Sequence, residues 1–274
     1  MELVWSRTSA QGRPWLSVVI PTYGRASTLD QHVENIHVRL CEDFPGKTFE
    51  IIVVNDASPD QTRTVLDTLA ARFPAVHTLN LAQNMGQQAA TRAGLALAEG
   101  AVVVTLDDDG KDEPADIARL VDLLSAGYDV VYGIPEQESS LAWHRRLGTA
   151  VKEWLLGRLC RKPAGIRLTS FRAMNRATVD RVVADARRHV YISATILEKP
   201  VRIGQVRVAA PARNVSGYSL AALARLLIRI AIWYGPFYRP MTQPGLQNWL
   251  DTRSQIRESG QLGRHIQINP ESQL

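Results

Sequence analysis

The chain has 274 residues, of which 45% are hydrophobic and 22% charged, and its formal net charge is +5. That balance excludes global disorder, and the length suits one large domain or one domain with appendages. The positive charge is modest and dispersed, so nothing requires nucleic acid as a partner. Residues 1–14 are polar, lack the apolar core of a signal peptide, and read as an N-terminal extension. Leu16–Ile20 is a short strand ended by Pro21, and Ser27–Leu40 is a helix with Leu29, Val33, Ile36 and Leu40 at helical spacing. Phe49–Val54 is a second strand, Asp60–Phe73 a helix, and Val76–Leu81 a further short strand. Gly86–Glu99 is Ala-rich and helical, ended by Gly100, and the apolar run Ala101–Leu106 reads as a buried strand. A helix at Pro114–Leu124 and a strand at Tyr128–Tyr132 follow. The second half is less regular. Trp143–Leu159 reads as a helix with a basic face, Thr169–Met174 as a strand, Thr178–Arg187 as a helix and Val201–Ala209 as a strand. Leu220–Tyr234 is strongly apolar but carries Arg225 and Arg229 four residues apart on one helix face, and after Pro240 the chain turns polar and Gln-rich.

Strands alternating with helices predict a mainly parallel sheet with right-handed crossovers, whose ligands bind outside the carboxyl ends of the strands. Asn55, Asp56 and the run Asp107-Asp108-Asp109 should all lie on that edge. Side chains alternate along a strand, so Asp107 and Asp109 are expected on one side and Asp108 on the other. Two carboxylates so placed repel each other unless a cation sits between them, and Mg²⁺ or Mn²⁺ holding a substrate phosphate would suit hard oxygen ligands. An acidic surface turn is the competing reading. Asp56 likewise fits either a ligand contact or an Asx turn before the next helix. The two cysteines, Cys41 and Cys160, have no metal-ligand spacing, which fits a reducing cytoplasm. No run of about 18 apolar residues occurs, so no transmembrane helix is expected.

Four motifs in order resemble the inverting glycosyltransferases of family 2. They are Ser17–Tyr23, Ile52–Asp60, Asn84–Ala89 and Leu106–Asp109. Ser170-Phe171-Arg172 and Arg213–Ser219 resemble the branch that transfers sugars to polyprenyl phosphates, and the likeness runs roughly from Leu16 to Arg239. The resemblance implies a GT-A nucleotide-sugar-binding fold over 15–212, an interfacial acceptor-side helical region over 213–240, and a polar tail over 241–274. It places Pro21, Thr22 and Tyr23 against the nucleoside and Asp56 against the base. It makes Asp109 the direct metal ligand, with Asp107 supporting it and the ribose, and implies Mg²⁺ or Mn²⁺ as cofactor.

The chain departs from the branch pattern at Lys111, where a Gln metal contact is usual. A protonated Lys cannot ligate a metal; it either touches a phosphate or weakens metal affinity. The branch often has an Asp just before Ser-Phe-Arg, whereas Gly165–Thr169 holds no carboxylate. A lipid phosphate is already anionic and needs little general-base help, unlike a sugar hydroxyl. Arg172 then reads as an acceptor-phosphate ligand or a structural ion-pair member, and Arg213 as a ligand of the donor diphosphate or lipid phosphate. Arg145, Arg146 and Lys152 beside Trp143 and Trp154 suit a membrane surface or a solvated helix equally. The expected activity is transfer of a sugar from a nucleotide sugar to a polyprenyl phosphate, by a cytoplasmic enzyme peripheral at the inner membrane face. The rivals are a soluble family 2 enzyme acting on a sugar hydroxyl of a glycan, and a nucleotide-sugar-binding protein without catalysis.

Overall fold

The apolar, β-branched runs become strands buried on both faces: Val18, Val19 and Ile20, and likewise Ile51 to Val54, have no exposed surface. The computed structural model describes residues 2–6, 13–136, 157, 158, 160, 162–185, 187, 191–209 and 265–267. In chain order the elements are β1 Glu2–Ser6, β2 Leu16–Thr22, α1 Leu29–Asp43, β3 Phe49–Asn55, α2 Thr62–Arg72, β4 Val76–Asn80, α3 Gln87–Leu97 and β5 Val102–Thr105. They continue with α4 Asp116–Ser125, β6 Val130–Pro135, β7 Arg172–Asn175, α5 Arg176–Val183, α6 Ile192–Leu197, β8 Ile203–Val208 and β9 His265–Gln267.

One sheet runs in the order β8-β6-β7-β5-β2-β3-β4-β1-β9. β2 pairs in parallel with β3 and β5, β3 with β4, and β6 with β8. Among the described strands, only β7 and β1 run against this direction: β7 is antiparallel to both β5 and β6, and β1 to β4 and β9. The expected mainly parallel sheet is therefore present. β1 and β9 come from the two terminal segments that the sequence reading set apart from the domain.

Alternation sorts the strand residues into two layers. Val18, Ile20, Ile51, Val53 and Val104 pack with Leu29, Val33 and Leu66 of α1 and α2 and Leu120 of α4. Val19, Ile52, Val54 and Val103 pack on the other face with Leu95 of α3, Val179 of α5 and Ile196 of α6. The Ala-rich character of α3 has a steric cause. A Cβ on Gly94 would stand 2.4 Å from Val19 Cγ1 and 3.0 Å from Val54 Cγ2, so α3 lies hard against β2 and β3. At the opposite edge of the sheet from the strand carboxyl ends, buried Glu50 accepts from Ser17 Oγ (2.6 Å) and from the Glu99 amide (2.8 Å). This ties β2 and β3 to the turn before β5.

Three boundaries differ from expectation. β5 stops at Thr105, so the three aspartates lie beyond the strand in a turn and its alternation does not reach them. The helix expected at Thr178–Arg187 begins at Arg176, where the Asn175 side chain caps the Thr178 amide, and ends at Val183. The short helix α6 was not foreseen, because its six residues are all buried and show no amphipathic period. The helix expected at 143–159 lies mainly outside the described residues; Arg213 and the helix at 220–234 lie wholly outside them. Among the described residues, no helix is long and apolar enough to cross a membrane.

Candidate functional site

The carboxyl ends of β2, β3 and β5 meet where the chain order reverses across the sheet, the position at which open α/β sheets bind ligands. Asp56 follows β3 directly. Its amide donates to Thr22 O (2.9 Å), and its carboxylate accepts from the Met85 amide (2.7 Å) and the Gly86 amide (2.8 Å). Asp56 therefore clamps the turn that opens α3 to the ends of β2 and β3. The loop after β3 is closed instead by Asn55, whose Oδ1 accepts from the Ser58 amide three residues on at 2.9 Å, and the Asx turn before α2 belongs to Asp60, whose Oδ1 accepts from the Thr62 amide at 3.1 Å. Burial pushes the Asp56 carboxyl pKa up, against the opposing pull of the two amides. The next residue, Ala57, holds a φ of +55°, and it is the non-glycine position with positive φ among the described residues. Such strain tends to collect at binding sites. Two exposed apolar side chains flank this corner: Tyr23 is 50% exposed and Met85 56%.

The acidic run is laid out differently from the expectation. Asp107 and Asp109 each take donors from the protein itself. Asp107 Oδ1 accepts from Gln87 Nε2 (2.6 Å) and Oδ2 from Ser170 Oγ (2.7 Å). Its amide donates to buried Asp112 (3.3 Å), and its carbonyl lies 3.2 Å from His32 Nε2. Asp108, which the sequence reading set aside, turns to β2: Oδ2 accepts from the Tyr23 amide (3.3 Å) and Oδ1 lies 3.6 Å from Arg25 Nε. Burial pushes its pKa up, with Arg25 among the groups that oppose this. Asp109 accepts from Lys111 twice, from the ammonium (Nζ to Oδ2, 2.8 Å) and from the amide (N to Oδ1, 3.2 Å). Each of the six carboxylate oxygens thus has a protein partner, and two cationic side chains stand against three carboxylates.

A divalent ion still fits this chemistry. The donors are hard oxygens, and each carboxylate oxygen keeps a second lone pair. Among the described residues, no three His, Cys, Asp or Glu side chains group to hold a metal. Phosphate oxygens of a bound ligand would have to complete the coordination.

Beside Asp107 lies a cleft lined by Pro21, Gln87, Thr105, Ser170 and Arg172. β7 runs backwards between β5 and β6, which brings the start of that strand, rather than its end, to this edge. Thr105 Oγ1 donates to Ser170 O (2.5 Å) and so sets the Ser170 hydroxyl against Asp107. Arg172 is 3% exposed. Its Nη1 donates to Ser193 Oγ (2.9 Å), while its Nε has no partner. No carboxylate among the described residues pairs with it. The hydroxyl of fully buried Tyr132 is beside the guanidinium, and burial pushes the phenol pKa up. The sequence reading assigned no individual role to Gln87, Ser170 or Ser193. Gln87 and Ser170 had a signal, since both lie within matched motifs; Ser193 had none.

A family model described as Glycosyl transferase family 2 matches residues 17–183. The chain belongs to this family. An undecaprenyl-phosphate 4-deoxy-4-formamido-L-arabinose transferase of Pseudomonas aeruginosa (strain LESB58) is 31% identical over 220 residues, covering 77% of this chain and 62% of that one. The enzyme of the same name from Sodalis glossinidius is 32% identical over 217 residues, covering 77% and 65%. The match thus spans a little under two thirds of these relatives' length. Among solved structures, a mannosyltransferase from Pyrobaculum calidifontis in complex with GDP-Man and Mn²⁺ has a TM-score of 0.56 at 19% identity, covering 91% of this chain and 71% of that one. Glucosyl-3-phosphoglycerate synthase from Mycobacterium tuberculosis, in complex with Mn²⁺, UDP and phosphoglyceric acid, has a TM-score of 0.60 at 19% identity, covering 85% and 86%. These likenesses establish the GT-A fold of the family 2 chain.

Proposed function

We propose that this family 2 chain transfers a sugar from a nucleotide sugar to a polyprenyl phosphate, with inversion at the anomeric carbon. The observation that carries the reading is Arg172: a buried guanidinium, unpaired with any described carboxylate, facing a cleft beside Asp107. A buried cation is costly unless an anion joins it, and a phosphate offers the guanidinium bidentate acceptors. The two relatives named for undecaprenyl-phosphate transfer favour a lipid phosphate as that anion.

In this reading, Tyr23 and Met85 flank the nucleobase, and Asp56 fixes the Met85–Gly86 turn and offers a remaining lone pair to a ring N–H. Pro21 lines the floor. Asp107, oriented by Gln87 and Ser170, holds the ribose side of the donor. Asp109 and Asp107 are the residues that would hold Mg²⁺ or Mn²⁺, which supplies Lewis-acid stabilisation of the leaving diphosphate. Arg172 orients the acceptor phosphate, with Arg213 as a second cation. An acceptor phosphate oxygen forms the new bond to the anomeric carbon, and the bond to the nucleoside diphosphate breaks with its electron pair. The nucleophile carries its own negative charge, so no general base is needed. The enzyme would work peripherally at the cytoplasmic membrane face, where such a lipid is available.

The test is incubation with radiolabelled nucleotide sugars and undecaprenyl phosphate, followed by organic extraction. Label in the lipid phase is expected. Label confined to water-soluble glycan would replace this reading with a sugar-hydroxyl acceptor, and nucleotide-sugar binding without turnover would leave a binding protein.

A further inference from the structure

Lys111 occupies the place where a metal contact would be expected, and the structure gives it a different partner. The chain turns at Gly110, whose φ is +68°, and this fold-back lets one residue grip both oxygens of Asp109. The ammonium is the more open partner: the Lys111 side chain is 41% exposed and that of Asp109 19%. An ammonium has three donors, and Asp109 receives one at 2.8 Å, which leaves two directed elsewhere. The adjoining carboxylates have donors of their own. Asp107 is held by Gln87 and Ser170, and Asp108 by Tyr23 and Arg25. The neighbouring cleft also presents the buried Arg172, whose Nε lacks a partner, so the edge as a whole is built to receive an anion.

We propose that Lys111, seated on Asp109, is a tethered cation that binds the donor diphosphate directly and relieves the site of part of its dependence on a divalent ion. This rests on the donor-site reading above. A Lys ammonium is a compact point charge on a flexible stem, well suited to follow a diphosphate as it leaves. Asp109 then has two tasks in competition: holding Lys111 and holding a metal. The same contact that offers a diphosphate a cation without metal lowers the affinity of Asp109 for metal.

The experiment uses the full chain, with UDP and GDP as probes, titrated calorimetrically in EDTA and in Mn²⁺. Wild type, Lys111→Gln and Lys111→Arg are compared, and bound Mn²⁺ is read independently by electron paramagnetic resonance. Wild type should bind one of the probes in EDTA. Lys111→Gln should weaken that binding by about tenfold or more, as loss of one charge-assisted contact implies, and Mn²⁺ should restore it. Lys111→Arg should retain binding in EDTA, and Lys111→Gln should hold Mn²⁺ more tightly than wild type. The proposal is overturned if wild type binds only with Mn²⁺, or if Lys111→Gln binds the probes and Mn²⁺ as wild type does, leaving the pair an ordinary surface contact. Absence of binding by wild type to either probe in both conditions would instead remove the donor-site reading itself, and this inference with it.

Discussion

Replacing Arg172 by Met separates a residue kept for ligand binding from one kept for folding. The two side chains have similar length, and the site is almost fully buried. The substitution removes one hydrogen bond from a charged donor, to Ser193 Oγ, a contact worth about 1.5–3 kcal/mol. It also removes the penalty of holding a guanidinium away from water without a described carboxylate, which is several kcal/mol per ion. The two terms oppose each other, so the free energy of unfolding in urea should change little or rise, by roughly −1 to +3 kcal/mol. Transfer to lipid phosphate should fall by about 100-fold or more, since a bidentate charge-assisted contact to phosphate is lost. Binding of nucleotide donor should be nearly unchanged, which distinguishes an acceptor role from a donor role. Ser193→Ala keeps the charge and should retain most of the activity. A variant that loses several kcal/mol of stability yet still transfers sugar would refute the reasoning and make Arg172 a structural ion.

Three further outcomes follow from the packing and the electrostatics. Gly94→Ala pushes a methyl to within 2.4 Å of Val19 Cγ1, so α3 must lift from the sheet; a loss of about 1–3 kcal/mol by urea denaturation is expected, and an unchanged midpoint would contradict the close approach. Met85→Ala should raise the dissociation constant for the nucleotide donor several-fold and change the melting temperature little, because the side chain is 56% exposed and its sulfur takes only a surface contact from Gln83 Nε2 at 3.3 Å. His37 lies between Phe49 and Phe73, with ring centroids 5.5 and 4.5 Å away, and burial holds its pKa below the ordinary 6.5 despite the nearby Glu34. The unfolded chain therefore takes the proton first as pH falls. Stability should be full above 6.5 and decline below it, and His37→Gln should make that decline shallower in melting scans at stepped pH.

The core was legible because its signal is local. Runs such as Val18-Val19-Ile20 and Ile51–Val54 carry both β propensity and continuous burial, and each became a central strand. The carboxyl edge was legible for the same reason: once strand order is known, Asp56 and Asp107 must lie on it. What one dimension could not supply was the reach of side chains across that edge. Asp56 bonds amides 29 and 30 residues away, Asp107 a hydroxyl 63 residues away, and Arg172 a hydroxyl 21 residues away. The alternation rule does not reach the aspartates, because β5 ends at Thr105, two residues before the first of them. Electrostatic reasoning from the run alone demanded an external cation, while the chain supplies Lys111 and Arg25.

The reversed strand β7 explains why the proposed donor and acceptor groups meet at all. In a purely parallel sheet, this edge would receive only residues that follow strands, as Tyr23, Asp56 and Asp107 do. β7 enters antiparallel between β5 and β6, so Ser170 arrives there before its strand and Arg172 as the strand's first residue. The register sets Arg172 opposite Thr105 and Tyr132. The hydroxyl of Ser170 thereby reaches Asp107 while the guanidinium two residues on is driven down into the buried layer beside Tyr132. One two-residue step carries the chain from the hydroxyl that orients Asp107 to the guanidinium proposed to receive an acceptor anion. A one-residue slip of β7 would turn Arg172 to the opposite face of the sheet and leave the cleft without its cation. The placement of the proposed acceptor site therefore depends on the β5–β7–β6 register more than on any loop.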